Sequence, residues 1–127
     1  MIPTAALFWF LAVIHFLPAI AAVAPSQLAT LYGIAPGDKA LVTLLQHRAI
    51  LLGLVGGAFA CAAHMPGVRW PALIGGAISM VSFLIIATLH GELGGSLRRI
   101  AIIDAIGLPA VLALAYLLMT SNQELTG

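Results

Sequence analysis

The sequence predicts an all-α fold, an integral membrane four-helix bundle with a short interfacial helix between its first two spans. Three observations predict it. The chain has 127 residues, of which 62% are apolar and only 7% charged, whereas a soluble domain carries about 25% charged residues. It contains four hydrophobic stretches of the ~20 residues that cross a bilayer. Connections with Gly, Pro and polar residues separate them, the first of about 14 residues and long for a small bundle, the other two short. Residues 1–127 therefore read as a single membrane domain, and the lipid bilayer is its first partner. A net charge of +1 leaves no electrostatic footprint for nucleic acid. With one cysteine, Cys61, no internal disulfide is possible.

The first span is expected over 3–24. Pro3 suits a helix start, and Pro18 inside the span frees the carbonyl of Ile14. Although Ala22-Val23-Ala24 resembles a cleavage site, no Lys or Arg precedes the apolar run, so this stretch reads as a retained span. Residues 26–32 read as the interfacial helix, capped by Ser26 and closed by Gly33. Pro36-Gly37-Asp38 is a turn that leads into the second span, 39–63.

In the second span Gln46-His47-Arg48 runs directly into a glycine-rich helix. At 100° per residue, Gln46, Ala49, Gly53, Gly56, Gly57, Ala60 and His64 share one face. That small-residue face, with Gly53-x-x-x-Gly57, is expected to pack on span three, 71–90, whose own small face is Ala72, Gly75, Ser79 and Ser82. His47 and Arg48 point elsewhere. The loop 91–96 is a helical hairpin connection. The fourth span, 97–119, contains Asp104 and Pro109, and a polar, mobile tail over 120–127 follows.

Four spans put both termini on one side, side A. The loops after spans one and three then lie on side B. At 1.5 Å per residue, His15 and Arg48 lie roughly 13 Å, and Asp104 roughly 10 Å, from the side-B ends of their spans. Three ionisable residues from three helices share a layer, with His47 beside it. Gln46, His90, Glu92 and Arg98 form a secondary group, the last three nearer the side-B surface. A lone Arg or Asp in hydrocarbon costs several kcal/mol, so Arg48 and Asp104 are expected to pair, with His15 in contact. Docking of helices explains such a pair as well as a site does. Lys39, Arg98 and Arg99 on side B make that side cytoplasmic and leave both termini outside.

No chemistry beyond this layer is written in the chain. Haem is disfavoured, because His47 with His90 is the best bis-histidine pair on offer and no Cys-x-x-Cys-His occurs. No metal-ligand spacing is present, and no serine has a nucleophile setting. The reading leans away from an enzyme and leaves different classes open. One is a non-catalytic binding or accessory protein, in which His15, Arg48 and Asp104 hold the head of a quinone, lipid or other amphiphile. Another is a small proton-coupled transporter, dimeric, with Asp104 titrating. A third is a structural subunit of a larger membrane complex.

His15 alone in an apolar first span, His47-Arg48-Ala49 leading into the Gly53/Gly56/Gly57 helix, and Asp104 in the last span give a layout that resembles the small bacterial four-helix membrane proteins of the broad DoxX-like kind. The resemblance covers residues 3–119. It implies a bacterial inner-membrane location and, through members linked to quinone-dependent redox systems, a quinone-like ligand. The nucleotidyl-transfer label carried by some similar short chains does not fit, since His-x-Gly-His is missing.

Overall fold

In the computed structural model, the described residues are 3–20, 39–91, 94 and 98–126, with backbone alone for 124–126. They form four helices: α1 (Thr4–Ala19), α2 (Lys39–His64), α3 (Arg69–Leu89) and α4 (Arg98–Thr126). A 3-10 turn, Pro66–Val68, links α2 to α3. The expected end of the first span, the interfacial helix over 26–32 and the turn at Pro36-Gly37-Asp38 lie outside the described residues.

Local chemistry sets each boundary. Pro3 is the N-cap of α1, extended at φ −65° and ψ 140°, and its carbonyl accepts from the Ala6 N–H at 2.9 Å. Pro18 falls in the last turn of α1, and the α-helix stops one residue later. At the far end of α2 the Arg69 Nε–H donates to the Ala62 carbonyl at 3.1 Å. A cation thus satisfies a carbonyl that the helix end leaves free. The chain leaves α3 through Gly91, at φ +70°, a left-handed position that glycine occupies without a Cβ penalty. At the end of α4, the Thr120 and Ser121 hydroxyls donate to carbonyls one turn back, Leu117 and Leu118. The polar tail predicted to be mobile is therefore helical to Thr126. It contains no Gly or Pro that would stop the helix before Gly127.

The helices form a ring in which each packs against its sequence neighbours, and α1 closes the ring on α4. The pair α1–α2 is the most extensive. Ala19 lies at Gly53, Ala12 at Gly56 and Trp9 at His64, so α1 and α2 run antiparallel. Phe8 and Leu11 of α1, Phe59 of α2, Met80 of α3 and Leu114 of α4 are wholly buried at the centre. Large apolar side chains cover the outside instead: Leu89 is 78% exposed and Leu112 71%. Such a surface suits lipid and not water. Helices α2, α3 with its preceding turn, and α4 are each long and apolar enough to cross a membrane, and α1 is a shorter apolar helix.

The small face of α2 corrects an expectation. It seats α1, not α3. A Cβ added to Gly53 would meet the Ala19 Cβ at 3.2 Å, and one added to Gly56 would meet the Ala12 carbonyl oxygen at 3.1 Å. Gly57 and Gly75 face nothing within 4 Å. Helix α1 sets Ala19, the Ala12 carbonyl and the Phe16 ring against this face. The α2–α3 contact works differently, by a large residue entering a gap. Phe59 drives its ring against Gly76, where a Cβ would lie 2.8 Å from Phe59 Cε2.

Candidate functional site

Helix α1 brings the first polar group to the interior. His15 is 2% exposed. Its Nδ1 lies 2.8 Å from the carbonyl oxygen of Leu11, one turn earlier. A carbonyl only accepts, so Nδ1 carries the proton. The partner is thus the carbonyl of Leu11. The ring stands 5.2 Å from that of Phe59, centre to centre. The other nitrogen, Nε2, is buried with no hydrogen-bond partner among the described residues. Buried polar atoms without a partner are rare and costly.

His15 lies on the wall of a cavity of about 240 Å³. Helix α1 contributes Ile14, His15, Leu17 and Pro18, α2 contributes Arg48 and Leu52, and α4 contributes Ile100, Ile103 and Asp104. The wall is almost wholly apolar except for His15, Arg48 and Asp104. The three residues placed in one layer by depth thus meet at one cavity. Leu17 is 55% exposed, which carries the cavity's rim to the outer surface of the bundle.

Arg48 and Asp104 are both half-buried. The arginine rests its guanidinium over the ring of Phe83 on α3, 4.4 Å from the ring centre. A cation over an aromatic face is attracted by the ring quadrupole. Its charge also acts on the Asp104 carboxylate. Among the described residues the two do not close into a direct salt bridge; both residues line the one cavity.

The remaining candidates stand apart. His47 is exposed and absent from the cavity wall, since the next residue along a helix turns 100° away. Gln46 is half-buried and also off the wall. His90 caps α3 at its C-terminus, exposed, and Arg98 opens α4, exposed. Glu92 lies outside the described residues. His64, at the opposite end of the bundle, accepts a hydrogen bond from Trp9 Nε1–H at 3.3 Å. No group of three or more His, Cys, Asp or Glu among the described residues is placed to hold a metal ion.

Two residues of the site were missed in the sequence: Phe83 beneath Arg48 and Phe59 beside His15. The depth rule reaches the first of them. Phe83 lies seven residues, roughly 10 Å, from the side-B end of the third span, level with the polar layer. An apolar ring in an apolar helix gives no other signal.

The cavity is thus lined by a histidine, an arginine and an aspartate among hydrocarbon side chains. No protein-family model, curated protein or solved structure matches this chain.

Proposed function

We propose that this protein is a non-catalytic binding or accessory protein of the bacterial inner membrane, with an intramembrane site for the polar head of an amphiphile such as a quinone or lipid. One observation carries the reading: His15, Arg48 and Asp104, from three helices, line one cavity that is otherwise apolar. Three ionisable residues gathered inside an apolar bundle are unfavourable for folding alone, and a polar ligand head offsets that cost. The volume agrees with a head group. Pockets that enclose drug-sized ligands run to about 300–1,000 Å³, so about 240 Å³ accommodates a ring-sized head. Its tail then leaves past Leu17 into the bilayer. Lys39, Arg98 and Arg99 favour side B as the cytoplasmic face, with both termini outside.

Native mass spectrometry in mild detergent tests this. A stoichiometric adduct on the wild type that is lost in Arg48→Gln and Asp104→Asn is the expected result, and its mass identifies the ligand class. A bare wild-type protein removes the basis for a resident ligand. The half-buried carboxylate of Asp104 at the same cavity favours one second reading, a small proton-coupled transporter. In that case binding tracks the protonation of Asp104, whereas a pure binding protein is nearly indifferent to pH.

A further inference from the structure

The side-B end of the bundle carries charges that the cavity does not use. Lys39 opens α2, His90 follows α3, and Arg98 and Arg99 open α4; all four are exposed. Contacts between the helices fix their levels. Phe59 meets Gly76 and Arg48 meets Phe83, so α2 and α3 run antiparallel. Gly107 faces Leu11, whereas Ile100 shares the cavity wall with Leu17 and Pro18, so α4 runs antiparallel to α1, as α2 does. Arg48, Phe83 and Asp104 then mark one layer across α2, α3 and α4. Counted from that layer at 1.5 Å per residue, Lys39, His90, Arg98 and Arg99 lie roughly 14, 11, 9 and 8 Å towards the same end. Three cations and a histidine from three helices thus share a band about 6 Å deep at the headgroups.

Helix stability does not account for the arginine pair. A helix start favours acids over cations, and the first turn of α4 holds no acid. Among the described side chains the only acid is Asp104, which lines the cavity; Asp38 and Glu92 lie outside the described residues. A guanidinium at headgroup depth matches a phosphate diester, whose oxygens accept charge-assisted hydrogen bonds from its planar fork.

We propose that Arg98 and Arg99, with His90 and Lys39 alongside, form a binding site for the headgroup of an anionic phospholipid where α3 ends and α4 begins. This goes beyond the binding role of the cavity and does not depend on it. Net charge sets the selection. A zwitterionic headgroup carries the same phosphate with a cation attached, so it gains less from the fixed cations of the protein.

The test is a lipid titration of the full-length protein in mild detergent, read by native mass spectrometry. The probes are phosphatidylglycerol and phosphatidylcholine with identical acyl chains, added singly and in competition. Phosphatidylglycerol should bind at least about fivefold tighter, and each arginine changed to glutamine should cut the preference about fivefold towards parity, the ratio that ~1 kcal/mol per cation gives. Arg98→Lys with Arg99→Lys should keep most of the preference. Arg69→Gln, at the opposite end, should leave it unchanged. If Arg98→Gln with Arg99→Gln does not fold, the salt dependence of the wild type decides the point. Raising ammonium acetate from about 0.05 to about 0.5 M should erode the preference, because exposed charges are screened. Equal binding of the two lipids by the wild type, an equal loss of preference in Arg69→Gln, or a preference indifferent to salt overturns the proposal. Inorganic phosphate adducts without a lipid preference would make the patch a site for a free anion and overturn it as well.

Discussion

Gly75 and Gly76 are adjacent on α3, yet an added methyl should affect them oppositely. At Gly76 a Cβ would overlap the end of the Phe59 ring, with Cε2 2.8 Å away. Phe59 is wholly buried. Its ring has that of Phe8 at 6.3 Å and that of His15 at 5.2 Å, so it cannot yield without displacing one of them. Overpacking of this kind costs about 1–3 kcal/mol. A Cβ at Gly75 meets nothing within 4 Å. Alanine gains roughly 0.8–1 kcal/mol of helix propensity over glycine at either site. That gain is common to both variants and cancels in their difference. Gly76→Ala should therefore be less stable than Gly75→Ala by about 1–3 kcal/mol. Unfolding in mild detergent titrated with dodecyl sulfate, followed by circular dichroism, measures the gap. Adding Phe59→Leu to Gly76→Ala should return part of the loss, because the two positions share a contact. Coincident unfolding curves for the two alanine variants would refute the Phe59–Gly76 wedge.

Phe83→Leu removes the ring beneath Arg48 and should cost about 0.5–2 kcal/mol in the same titration; an unchanged midpoint argues against the stacking. Asp104→Asn should destabilise the protein because Arg48 keeps its charge. The loss should be below the ~3–5 kcal/mol of a fully buried broken pair, since Arg48 remains seated on Phe83 and both groups are only half-buried. A double-mutant cycle with Arg48→Gln measures the coupling, and a coupling of zero separates the two charges. Trp9→Phe deletes one donor to His64 and should cost at most about 1 kcal/mol, with the His64 ¹⁵N signals shifting. Unmoved signals would show that the tryptophan does not reach that histidine.

The helices and the level of the site were legible because both follow from periodicity and rise. Counting residues from the side-B ends placed His15, Arg48 and Asp104 in one layer, and the three line one cavity. What counting cannot supply is which neighbour a helix face meets. Gly53 and Gly56 carry the same signal whether they seat α1 or α3, and only the structure shows Ala12, Phe16 and Ala19 of α1 against them. Aromatic residues were harder still. Phe59 and Phe83 sit in apolar helices where any ring looks like filler, and their roles exist only once His15 and Arg48 lie against them. The polar end of α4 misled for a related reason. Thr120 and Ser121 suggest a tail by composition, but their hydroxyls bond back onto the helix.

Helix α4 also carries its own depth marks. Arg98 and Arg99 are exposed at its start, and Tyr116 is 64% exposed further along. The distance from Arg98 to Tyr116 is roughly 27 Å along the axis, close to the ~30 Å of a hydrocarbon core. Arginine and tyrosine both settle at the headgroups, so the helix floats at a set draught. Asp104 then hangs about 9 Å below the waterline at the arginine end. The cavity belongs to a single leaflet. Under the proposed binding role, a molecule dissolved in the opposite leaflet would have to flip before it could enter, so lipid asymmetry, and not bulk abundance, would govern what fills the site.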